Sequence, residues 1–116
     1  MSNKRKALTR ATRKLVYKKY GGHWAYCGKQ IPYEEMQVDH VQPLYRGGTN
    51  DVDNLLPSCH PCNFYKDSME LEEFRKRLQG IPQLLMEQDF SYRMAVAHGL
   101  ICRDRRKVKF YFEEFE

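Results

Sequence analysis

HWAYCGKQIPYEEMQVDHVQPLYRGGTNDVDNLLPSCHPCNFYK, residues 23–66, is where this chain concentrates its metal-ligating and proton-transferring side chains. Cys59 and Cys62 stand at C-x2-C spacing. That spacing sets two thiols on one side of a tight knuckle, where a tetrahedral Zn2+ can take both. Cys27-Gly28 resembles half of a second knuckle, but Trp24 and Gln30 occupy the positions three before and three after Cys27. The fourth ligand therefore stays open between His23, Cys102 and no metal at all, with Trp24 filling the space as packing. Buried, inert core cysteines are the plain alternative for all three thiols.

Between the cysteines lies Asp39-His40. Asn54 follows His40 by 14 positions and Asn63 by 23, directly after Cys62. Asp39 and Asn63 offer oxygen ligands of the kind a hard cation such as Mg2+ accepts, with waters and phosphate oxygens completing its shell. His40 then need not bind metal. An imidazole titrating near about pH 6.5 makes a general base at neutral pH. Each residue alone is common; the order DH, GG, DNL, CxxCN, K is not.

Outward from this centre, residues 9–20 predict a helix capped by Thr9, with Leu15 and Val16 on its apolar side. Residues 23–41 predict a hairpin that pairs His23–Tyr26 with Met36–Val41. Residues 42–52 predict a loop, residues 53–56 one helical turn ended by Pro57, and residues 59–67 a knuckle leading into a short helix. Beyond it, helices are expected over 69–79 and 82–98, with Gly80 and Pro82 between them, and an alternating strand over 107–112. The expected organisation is a single domain: a basic arm and helix (1–20), a core (21–67) and a helical extension (68–116) without a catalytic pattern.

The chain has 116 residues and a net charge of +5. Eight of its 20 Lys and Arg fall within residues 1–20, where there is no acid; the remainder carries twelve against fifteen acids. Such a single-signed arm suits a polyanion, because each neutralised phosphate releases counterions. Lys4, Arg5, Lys6, Arg10, Arg13 and Lys14 are its candidate phosphate contacts. No apolar run approaches the roughly 20 residues that span a bilayer, and the N-terminus lacks the apolar middle of a signal peptide. Cytoplasmic residence, thiols in place of disulfides and no membrane partner are the resulting expectations.

The residues AYCG (25–28), VDHVQPLYRGGTNDVDNL (38–55) and CHPCNFYKD (59–67) together resemble the HNH endonuclease family. The resemblance covers roughly residues 20–67. It implies an α+β chain built on a small ββα-metal core, flanked here by an N-terminal helix and by C-terminal helices with a short strand. It further implies metal-dependent hydrolysis of DNA, nicking or cleaving, with 5′-phosphate and 3′-hydroxyl products. By position, His40 would be the general base and Asn54 the residue that holds the loop and the orientation of His40. Asp39 and Asn63 would hold one Mg2+ or Mn2+. Cys27, Cys59 and Cys62, with His23 as the tentative fourth, would hold a structural Zn2+. Trp24 departs from the family where many relatives place the first Cys of the zinc knuckle. Lys66 and Arg46 are further candidates for phosphate contact. A phage, restriction or mobile-element setting would suit such a protein. The alternative reading is a non-catalytic nucleic-acid-binding module on a zinc scaffold, which would have no need of Asp39, His40, Asn54 and Asn63 together.

Overall fold

The computed structural model describes residues 8–103 and 106–115. Lys4, Arg5 and Lys6 lie outside the described residues. The chain forms two compact units, one of residues up to 71 joined by 109 onward, the other of residues 72–108. No helix among the described residues is long and apolar enough to cross a membrane.

In the first unit, helix α1 spans Arg10–Lys18, and the Thr9 hydroxyl accepts from the Thr12 amide. That bond satisfies one of the amides a helix start leaves unpaired. Val16 is fully buried, whereas Leu15, expected beside it, is exposed. Just past the helix, Lys19 Nζ donates to the carbonyls of Val52 (2.9 Å) and Leu55 (2.7 Å). Burial lowers the pKa of this ammonium, with Asp53 partly opposing.

Strand β1 (Gln37–His40) pairs antiparallel with β2 (Leu55–Ser58), Val38 opposite Pro57 and His40 opposite Leu55. The expected hairpin of 23–26 with 36–41 does not form. Residues 23–30 make a turn closed by a single His23–Gln30 bridge. The helical turn expected at 53–56 is also displaced: Val52–Asn54 form a 3-10 turn, and the strand begins at Leu55. Period-2 alternation marks a strand but not its partner. Leu55 and Leu56 are both buried, the pattern of a strand covered on two sides. Pro57 is tolerated because a two-stranded sheet has only edges. Its carbonyl accepts from the Ala25 amide at 2.8 Å, so the 24–28 turn leans on β2. Helix α2 (His60–Lys66) follows at once, completing ββα. Val16, Trp24, Met36 and Leu55 form the core between α1 and the sheet.

The loop between the strands is tightly folded. Gly47 has φ +93°, with open space where a Cβ would stand. Gly48 donates to the Pro43 carbonyl at 2.9 Å. A Cβ on Gly48 would lie 1.8 Å from the Gln42 carbonyl oxygen.

Residues 109–115 return to the first unit, and the expected strand over 107–112 is absent. Tyr111 and Phe112 donate backbone bonds to Tyr26 and Ala25, and the chain curls into a 3-10 turn over Tyr111–Phe115. Phe110 and Phe112 are buried against the Tyr26 ring, with centroids 5.3 and 6.2 Å away.

Helix α3 (Leu71–Gln88) runs through Gly80 and Pro82 without the expected break. Pro82 has a φ that a helix accepts, and its missing N–H removes one helical bond. The break falls instead at Asp89, which is extended (φ −123°) and caps α4 (Phe90–Ala97) by accepting from Tyr92. In this second unit, Arg75 donates to the Val108 carbonyl and Gln79 accepts from the Val108 amide, which ties residue 108 to α3.

Gly48→Ala is expected to destabilise the protein well beyond Gly47→Ala, whose cost is one left-handed residue, about 1–2 kcal/mol. Urea midpoints of the two variants compare them; equal midpoints would mean that Gly48 does not sit against Gln42.

Candidate active site and metal centre

Side chains alternate across a strand, and Gln37 and Asp39 therefore share one face of β1. Helix α2 covers that face. Asn63 Nδ2 donates to Gln37 Oε1 at 2.8 Å. One turn on, Lys66 Nζ lies 3.0 Å from Asp39 Oδ2 and donates to the His40 carbonyl at 3.1 Å. Tyr26, from the 24–28 turn, donates its hydroxyl to the same Asp39 oxygen at 2.5 Å. Lys66 is fully buried and Asp39 nearly so. Burial first, and then Asp39, raise the Tyr26 pKa well above its ordinary value. The phenol thus stays a donor to the carboxylate.

This burial corrects one expectation. Lys66 is not a surface cation available to phosphate; its ammonium is spent on Asp39 and a carbonyl inside the protein. Arg13 also departs from the list of free contacts: it donates to the Met36 carbonyl and its guanidinium stacks over Tyr33. Arg10 and Lys14 are exposed on α1. Arg46 is exposed in the loop, stacked on Tyr45 with Glu70 3.7 Å away.

His40 closes β1. Its Nε2 lies 2.8 Å from Asn50 Oδ1. Asn54 works from the other end of the loop: its Nδ2 donates to the carbonyls of Gln42 (3.0 Å) and Thr49 (2.8 Å), and its Oδ1 accepts from the Gln42 amide (2.9 Å). One carboxamide thus pins both sides of the 42–49 excursion. Asp39 and His40 line a cleft of about 230 Å³ with Pro43, Leu44, Tyr45 and Asp67. Asn63 is turned to Gln37 on the α2 side, so the structure places Asp39 with Lys66 and Asn63 with Gln37. Tyr26, Gln37 and Asn50 were not singled out from sequence. The alternation that puts Gln37 beside Asp39 was the available signal for the first contact; nothing local marks Asn50 as the partner of His40.

The Sγ atoms of Cys27, Cys59 and Cys62 all lie within 4.8 Å of one another. Cys59 is the N-cap of α2 and accepts from the Cys62 amide at 3.4 Å. Cys27 arrives on the turn held by the Ala25–Pro57 bond. Burial, then the hydrogen bond and charge of Cys59, then Cys27, push the Cys62 thiol well up. Three thiols packed this closely form a group that can hold a metal ion. His23 is outside that group: its Nδ1 lies 2.9 Å from the Gly28 carbonyl and its ring packs on Tyr111. The tentative fourth ligand is therefore not brought into the thiol group. Trp24 is a core side chain, and Cys102 belongs to the other unit.

Residues 25–79 match the HNH endonuclease family. Over 40 residues, 34% of this chain and 4% of the relative, the sequence is 42% identical to the CRISPR-associated endonuclease Cas9 of Corynebacterium diphtheriae. Among solved structures, the chain is similar to the Type II-C Cas9 enzyme from Actinomyces naeslundii, with a TM-score of 0.55 and 27% identity, covering 65% of this chain and 9% of that one. The chain spans a small part of the length of either relative. The matched segment contains β1, β2, α2 and all three clustered cysteines.

Lys66→Met is expected to cost about 3–5 kcal/mol, because it strands a buried carboxylate. Adding Asp39→Asn is expected to return a large part of that loss, and a double-mutant cycle from urea unfolding measures the coupling. Additive losses would mean that the pair is not buried as described.

Proposed function

We propose that this chain, whose residues 25–79 are of the HNH endonuclease family, hydrolyses DNA phosphodiester bonds with the help of a divalent cation and with His40 as general base. The carrying observation is the end of β1, where an imidazole tied to the loop by Asn50 lines a cleft beside the Asp39 carboxylate.

The donor set suits a hard cation. Lys66 and Tyr26 both engage Oδ2 of Asp39, and Oδ1 is outside that pairing. Asn63 uses its nitrogen on Gln37, and its oxygen is outside that bond. On the family resemblance, Asp39 and Asn63 are the residues that would hold Mg2+ or Mn2+, which when bound would supply Lewis-acid polarisation of the phosphate and charge stabilisation at the leaving 3′ oxygen. Lys66 and Tyr26 fix the Asp39 carboxylate in place before any ligand arrives. His40 takes the proton from the attacking water. Asn54 holds the loop that carries the partner of His40. Cys27, Cys59 and Cys62 are the residues that would hold Zn2+, which when bound would cross-link the 24–28 turn to the start of α2. Exposed Arg10 and Lys14, with the basic residues before them, would add sequence-independent affinity for the DNA backbone, and Arg46 would meet phosphate near the cleft.

Purified protein is expected to nick supercoiled plasmid in Mg2+ or Mn2+. His40→Ala is expected to lose about 10²–10⁴-fold in rate while still shifting DNA on a gel. Wild type and variant that both shift DNA and leave it uncut would favour a binding module instead.

Elemental analysis should find about one zinc per chain, kept in His23→Ala and lost in Cys62→Ser. Chelation should lower the melting temperature of the wild type and leave that of Cys62→Ser unmoved. A zinc content that falls in His23→Ala would restore His23 as a ligand.

A further inference from the structure

A neutral imidazole has one N–H and one lone pair, and its two tautomers put the lone pair on different atoms. Which atom can take a proton is therefore decided by what the other nitrogen faces. In this protein Nε2 of His40 faces Asn50 Oδ1 at 2.8 Å. An amide oxygen offers only lone pairs, so the ring nitrogen opposite it carries the hydrogen. Among the described residues, Nε2 has this partner and Nδ1 has none.

Asn50 comes to His40 because the loop is over-determined around it. Asn54 Nδ2 holds the carbonyl of the preceding residue, Thr49, at 2.8 Å. The Thr49 hydroxyl donates to Asp51 Oδ2 at 3.1 Å, and the Asp51 amide donates back at 3.3 Å. Gly48 sits so close to Gln42 that a Cβ has no room. The backbone on both sides of residue 50 is thereby tied down, with its carboxamide against the imidazole.

We propose that Asn50 is the positioning residue of His40: it accepts from Nε2–H, holds the ring in one tautomer and one orientation, and leaves Nδ1 as the atom that takes the proton from water. The role of Asn54 follows from this. It is one step removed from the imidazole and acts by delivering Asn50. The inference rests on His40 as base for its catalytic consequence; the tautomer itself does not depend on that.

The test has two parts. Long-range ¹⁵N–¹H spectra of the wild type at alkaline pH, with His40 assigned by its absence in His40→Ala, report which ring nitrogen is protonated. The expected result is a hydrogen on Nε2; a hydrogen on Nδ1 overturns the proposal whether or not the protein cuts DNA. Plasmid nicking then compares Asn50→Leu, which is isosteric and cannot accept, with Asn50→Asp, which can only accept. Asn50→Leu is expected to lose about 10–100-fold in kcat, the usual cost of removing a partner that orients a functional histidine, with KM and the gel shift unchanged and the His40 signals averaged between tautomers. Asn50→Asp is expected to recover most of that loss. An Asn50→Leu rate equal to wild type, or an Asn50→Asp rate as low as Asn50→Leu, overturns the proposal. If wild type and His40→Ala do not differ in cutting, the nuclease reading fails, and the spectra decide the role of Asn50 alone.

Discussion

A carboxylate and an ammonium 3.0 Å apart inside a small protein constrain almost everything near them. Desolvating two charges is costly, and the pair survives only where geometry and added hydrogen bonds compensate. Asp39 and Lys66 meet that condition through Tyr26 on one side and the His40 carbonyl on the other. Three pieces of chain are joined there: β1, α2 and the turn that carries Cys27. Moving any of them leaves a buried charge without its partner. The pair therefore sets the register of α2 against β1, and with it the places of Asn63, Cys59 and Cys62.

The same economy governs the loop. A 42–54 excursion between two short strands has little apolar surface to bury, and it cannot be held by packing alone. It is held by polar bonds from one carboxamide, Asn54, and by a glycine pressed against a carbonyl. Loops fixed in this way place functional groups with strand-like accuracy while remaining at the surface. This loop leaves His40 with a rigid frame behind it and an open cleft before it. The three thiols stand at the opposite end of α2, where a metal, once bound, would add a cross-link to a small core.

Much of the local structure was legible in the order of residues. Thr9 caps α1, Cys59 starts α2, and the glycines and Pro43 mark a loop between them, because caps and turns are satisfied within a few residues of chain. The α+β class and the endonuclease resemblance were legible too, since they rest on residue types at fixed spacings. The pairing partner of β1 was not. Residues 23–26 and 55–58 are both short and apolar enough to pair, and residues 24–26 are buried as fully as 55–58, but it is 55–58 that lies antiparallel to β1. The break between α3 and α4 was also misplaced: Pro82 costs one hydrogen bond and a long helix absorbs it, while Asp89 supplies a new cap.

Spacing along the chain singled out Asp39, His40, Asn54, Asn63 and the three clustered cysteines, because chemistry of this kind needs particular atoms and few residue types provide them. Tertiary structure decided what each atom faces. It buried Lys66 with Asp39, turned Asn63 to Gln37, kept His23 out of the thiol group and brought Asn50 to the imidazole. None of these pairings is written in local sequence, because each depends on the burial and desolvation of groups brought together from distant parts of the chain.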